Sequence, residues 1–200
     1  MKTSIRQLAA LALSLFVASC SADNISSASP KIDAPNGGSA DLLGTVGSVT
    51  STLGLTPAVG LLRIVPLAAP ITVSQLIGTG GGTLSIPAAG VTVVIPSGAL
   101  ASATQITMTA RAGSLVAYDF APHGITFAKP LVFSQKLRGT NATLLTAPLL
   151  HLAYYSDGGL LGPLGGLVSE LISGTVNLLS WTFTAKIQHF SGYMVSCGRE

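Results

Sequence analysis

The run GGTLSIPAAGVTVVIPSGAL extends from Gly81 to Leu100. Side chains of a β-strand point alternately to opposite faces. In TLSI, Leu84 and Ile86 therefore share a face. In GVTVVIP, Val91, Val93 and Ile95 do the same. Proline has no amide hydrogen for a strand ladder, so Pro96 ends the second strand. Gly98 suits a turn that needs a positive φ. The run reads as two short strands with backbone-dictated turns, and it contains no helical periodicity.

The same pattern continues outward. QITMTA (105–110) sets Ile106, Met108 and Ala110 against Gln105, Thr107 and Thr109. LVF, LLHLAYY and WTFTAKI follow, separated by turn residues such as SDGG at 156–159. Only LVSELI (167–172) carries a trace of helical spacing. Gly (23) and Pro (11) are spread throughout, which favours short strands over long helices. Short alternating strands at regular spacing predict an all-β fold, an antiparallel β-sandwich.

The N-terminus reads as an export signal. Lys2 and Arg6 precede the apolar core LAALALSLFVA, which is too short to span a bilayer. The core ends in VASC, Val17 to Cys20. This resembles the bacterial lipobox, and the resemblance implies acylation of Cys20, cleavage before it, and anchoring to a lipid bilayer. Ser21 and Ala22 follow Cys20 with no Asp directly after it, which resembles the pattern sent to the outer membrane. Loss of residues 1–19 lowers Lys plus Arg from 10 to 8 against 7 acidic residues, so a basic pI says nothing about nucleic acid. With Cys20 lipidated, Cys197 is expected as a buried, inert thiol.

Residues 20–41 form a polar tether after the signal peptide at 1–19. A coil of that length spans about 25 Å. Residues 42–79 are apolar but broken by Pro57, Pro66 and Pro70, and they are expected as a linker. Their alternatives are a short element packed on the domain or a membrane-surface segment. The sandwich domain is expected over 80–200. The segment 158–180 is apolar and nearly uncharged, so it either packs on the sandwich or exposes a contact patch.

The final stretch WTFTAKIQHFSGYMVSC (181–197) alternates as one strand, with the odd residues inward. That places His189 and Ser191 on the apolar face, about 7 Å apart on an ideal strand. His123 and His151 lie in separate segments, and no spacing suggests a metal site. The GTGGG at 78–82 lacks the lysine and helix of a phosphate loop. No cofactor is implied.

GGTLSIPAAGVTVVIPSGAL, followed by PHGITFAKPL (122–131), resembles the ZU-type domain of zonula occludens and Unc-five proteins. The matching positions include Gly81, Gly82, Gly90, Ile95, Pro96, Gly98, Pro122, Gly124, Phe127 and Pro130. The resemblance implies a β-sandwich that binds a protein partner and is not an enzyme. Some members of the family cut themselves between Phe and Ser of a His-Phe-Ser tripeptide. His189, Phe190 and Ser191 stand in that order, with Ser191 as nucleophile, His189 as general base and Gly192 beside them. Strand-end packing is the competing reading of the same tripeptide, and the expectation favours no catalysis. The overall expectation is a lipid-anchored envelope protein with a protein partner, and a self-processing domain or a membrane-surface protein as alternatives.

Overall fold

The computed structural model describes residues 54–156 and 158–199. Fourteen strands run through them, and among the described residues the only helical turns are short 3-10 segments. The strands are β1 (Thr56–Gly60), β2 (Leu62–Leu67), β3 (Ile71–Ile77), β4 (Gly82–Ile86), β5 (Val91–Ile95), β6 (Thr104–Ala110) and β7 (Gly113–Leu115). They continue as β8 (Ala117–Ala121), β9 (Thr126–Lys136), β10 (His151–Tyr155), β11 (Gly165–Val168), β12 (Glu170–Asn177), β13 (Thr182–His189) and β14 (Gly192–Arg199). All pairings are antiparallel.

The main path runs β3-β6-β8-β14-β10-β12-β13-β9-β5-β4. Its two ends, β3 and β4, are consecutive in sequence and lie against each other, so the layers nearly close into a barrel. The expected all-β sandwich is what the chain forms. The two layers share β12. Its first half pairs with β10 (His151 opposite Ser173), and its second half pairs with β13 (Gly174 opposite Ala185). Gly174 sits where the strand changes partner. A Cβ there would collide with the Phe183 ring and lie 2.6 Å from the Thr184 carbonyl oxygen. The bend is possible because this residue has no side chain.

The residues picked out by alternation fill the space between the layers. Leu84, Ile86, Val91, Val93, Ile95, Ile106, Met108 and Ala110 are all buried in one core. A second, smaller cluster covers the other face of the β8-β14-β10 region, where Met194 packs with Ala58, Ala117, Ala153 and Val168. This explains a departure from simple alternation. In β14 the odd residues Tyr193 and Val195 face the main core, yet Met194 and Ser196 are buried too. The strand is covered on both sides.

Two expectations need correction. Residues 56–77 of the expected linker carry β1, β2 and β3. β3 pairs with β6 residue for residue from Ile71–Ala110 to Ile77–Thr104, and β1 pairs with β11 and β14. Proline misled the reading: Pro57, Pro66 and Pro70 lie near strand ends, where a missing amide hydrogen costs little. The domain therefore begins before residue 80. Residues 42–53 of that segment lie outside the described residues, as do the signal, Cys20 and the polar tether. Secondly, LVSELI is not helical, because it forms β11 and the start of β12.

One buried polar cluster closes the end of the sandwich near the β4–β5 turn. Arg63 is buried and donates to the Leu115 carbonyl and to the Tyr118 hydroxyl at 3.3 Å. Tyr118 in turn donates to Gln135 or to the Ala89 carbonyl. Gln135 donates to the Ala89 and Lys136 carbonyls at 3.1 and 2.9 Å. Arg63 Nε is the one buried side-chain nitrogen or oxygen left without a partner among the described residues.

Candidate functional site

His189, Phe190 and Ser191 do not lie on a continuous strand. β13 ends at His189, a bend follows, and β14 starts at Gly192. The chain crosses here from one layer to the other. The single-strand expectation for 181–197 is corrected accordingly, although its odd residues do point inward on both sides of the bend.

Phe190 anchors the crossing. It is buried, stacks on Phe120 with centroids 5.1 Å apart, and meets Phe127 edge-on at 4.6 Å. Its amide donates to the Ile125 carbonyl at 3.2 Å. Phe127 belongs to the PHGITFAKPL segment, so two motifs far apart in sequence pack on one another. Full burial of such a ring contributes on the order of 2–3 kcal/mol.

Ser191 is also buried, and its hydroxyl donates to the Tyr155 carbonyl at 3.3 Å. Its own carbonyl accepts from the Phe120 amide at 3.0 Å. His189 faces elsewhere. The Tyr193 hydroxyl donates to the His189 carbonyl at 2.8 Å and lies 3.1 Å from His189 Nδ1. Nε2 points towards Glu170 at 3.9 Å, and the ring rests edge-on against Tyr154. A general base must reach the proton it removes. Here the Ser191 proton is directed to Tyr155, and His189 is held by Tyr193. The tripeptide is brought to one corner, but its nucleophile and base are not joined.

Gly192 has a spatial role at this corner. A Cβ on it would fall within the Tyr155 ring. Tyr155 is itself fixed by its hydroxyl, which donates to the Tyr118 carbonyl (3.0 Å) or to Asp119 Oδ1 (2.9 Å). Burial, reinforced by the Asp119 charge, raises the Tyr155 pKa far above its ordinary value. Burial and then Glu170 do the same for Tyr193.

A cavity of about 650 Å³ opens beside Asp119, between β7 and the loop at 161–164. Its walls are mainly apolar, with Leu62, Leu115 and Leu164 among them. Its polar part is the Arg111–Asp119 ion pair at 2.8 Å. Arg111 also donates to the Gly158 carbonyl and lies over the Tyr155 ring. Sequence reading missed this site, because its residues come from turns and strands far apart in sequence. His123 is exposed in a turn, and His151 Nδ1 lies 2.9 Å from the Leu149 carbonyl oxygen. Neither joins His189 in a shared site.

Cys197 is half-buried, and its sulfur is in a disulfide. The expectation of a reduced thiol is corrected. The only other cysteine in the sequence is Cys20.

No curated protein matches the chain. A family model does: residues 73–112 match the ZU5 domain. They cover β3 to β6, including the glycine-led hairpin and the IPSGA turn, while the PHGITFAKPL segment lies outside the match. The chain thus contains a ZU5 domain match seated in an all-β, near-barrel sandwich.

Proposed function

We propose that this chain is a bacterial lipoprotein, anchored through acylated Cys20, whose β-sandwich binds a protein partner in the cell envelope. The ZU5 match over β3–β6, within an intact antiparallel sandwich, is the observation that carries the interaction-module reading. The basic start, the apolar core and VASC in register support the anchor. Acylation with more than one chain makes such anchoring effectively stable, since each buried CH₂ contributes about 0.8 kcal/mol. The placement in the outer membrane rests on Ser21 and Ala22 alone.

The disulfide at Cys197 favours a second reading, an exported chain in which the cysteine at position 20 is stapled to the last strand. One sulfur cannot carry both a thioether and a disulfide. Alkylation of the unreduced protein with iodoacetamide, followed by peptide mass analysis, separates the two. The proposal expects an acylated Cys20 peptide with no link to Cys197. A linked Cys20–Cys197 peptide without acyl chains would overturn it.

A further inference from the structure

Two turns of the sandwich present leucine pairs in the same sequence frame. One is Thr143-Leu144-Leu145-Thr146, and the other is Asn177-Leu178-Leu179-Ser180. Both are braced by their flanking polar residues. The Thr143 amide donates to Thr146 Oγ1 at 2.9 Å, and the Thr146 amide returns to Thr143 Oγ1 at 3.2 Å. Asn177 Oδ1 accepts from the amides of Leu179 and Ser180 at 3.0 and 3.1 Å. The leucines stand outward on these braced turns: Leu144 is 70% exposed, Leu145 85%, Leu178 57% and Leu179 96%.

The strand register places both turns at one end of the molecule. His151 pairs with Ser173, and β10 and β12 are antiparallel. Residues just before His151 therefore lie alongside the far half of β12, which ends in the second leucine turn. At the same end, Lys136 pairs with Thr182, and the Leu137 amide donates to the Trp181 carbonyl. The Ile64 amide donates to the Gly139 carbonyl, which brings in exposed Ile64 and Val65. Exposed Lys136 and Arg138 flank the patch. The described carboxylates lie away from it, with Glu170 opposite Tyr154 and Asp119 opposite Gly192, towards the other end of β12 and β14.

Trp181 is the chain's only tryptophan, and it closes the second turn. Its φ is +51°, the only positive φ at a non-glycine residue among the described residues. Glycine or asparagine would fit that position without strain. The strained position holds an aromatic ring half-buried against the core at the rim of the patch. Tryptophan favours the boundary between lipid and water. An exposed apolar tip with a cationic rim and a boundary tryptophan is complementary to an anionic bilayer surface.

We propose that this end of the sandwich inserts shallowly into an anionic lipid bilayer, with the two leucine pairs entering the acyl boundary and Lys136 and Arg138 meeting the headgroups. The contact does not depend on acylation. If Cys20 is acylated, the 33 residues from Ser21 to Leu53 let the domain reach the same bilayer, because an extended chain spans up to about 3.5 Å per residue.

Trp181 reports on the contact without a label. The full chain is mixed with phosphatidylcholine–phosphatidylglycerol vesicles carrying bromine on the acyl chains, and Trp181 emission is followed. Quenching is expected, with weaker quenching in vesicles of phosphatidylcholine alone. The quadruple variant Leu144→Ser, Leu145→Ser, Leu178→Ser, Leu179→Ser should partition at least roughly tenfold more weakly. Its melting temperature should be unchanged, because the replaced side chains are exposed. Lys136→Gln with Arg138→Gln should weaken binding only to the anionic vesicles. Absence of quenching in an acylated chain that floats with vesicles would overturn the proposal while leaving the anchor intact. Undiminished quenching in the quadruple variant would overturn it too. So would a wild type that dimerises without vesicles and a monomeric variant, because a second copy would then be what covers this end.

Discussion

Ser191 is buried and held by its neighbours. Its hydroxyl satisfies the Tyr155 carbonyl inside the core, so Ser191→Ala should cost about 1 kcal/mol in chemical denaturation. The chain should stay whole with or without that hydroxyl, as read by denaturing intact mass after long incubation. Arg63 poses a different problem, a buried guanidinium that donates to a carbonyl and a phenol, with Nε unpartnered. Replacing a buried charge by an apolar side chain of similar length is often neutral. Arg63→Met should therefore change stability by no more than about 1 kcal/mol. Arg63→Ala, which leaves a cavity beside Tyr118, should cost about 2–4 kcal/mol. Tyr118 lies beneath this arginine, and burial raises its pKa to about 12 in spite of the nearby positive charge. The folded state thus prefers the neutral phenol. That preference is fully present below pH 10, the unfolded value. It is lost as pH rises through 12, and Tyr155 and Tyr193 act in the same direction. Urea midpoints should hold level up to pH 10 and then fall steadily as pH rises towards 12.

At the scale of the strands, β12 depends on one glycine to change partners. Gly174→Ala should force the Phe183 ring or the Thr184 backbone to shift, at a cost of about 1–3 kcal/mol. β3 makes a complete ladder with β6, so a fragment of residues 80–200 should lack native near-ultraviolet dichroism and cooperative melting. Residues 54–200 should retain both. Period-two alternation was legible wherever one face of a strand meets the core and the other meets solvent, as in β4, β5 and β6. It failed for β2 and β11, whose burial does not alternate. The bend at Phe190 was hidden because alternation resumes in phase after it. The burial of Ser191 was therefore readable, but the turn that separates its side chain from that of His189 was not. The leucine pairs stood in plain view as TLLT and NLLS. Only strand register brings them to one end.

For the molecule as a whole, a nearly closed sandwich carries the ZU5 match on β3–β6 and an apolar, cationic tip at one end. These parts make a consistent device if Cys20 is the membrane end, because the domain then works beside a bilayer. The most direct test is the intact mass of the protein extracted from the membranes of bacteria expressing the full gene. The account predicts a single species, residues 20–200, increased by a diacylglyceryl group and an N-terminal acyl chain and retaining Ser191–Glu200. An unacylated species lacking two hydrogens, as an internal disulfide requires, would contradict the anchor. A species short of the last ten residues would contradict the reading of Ser191 as a structural residue.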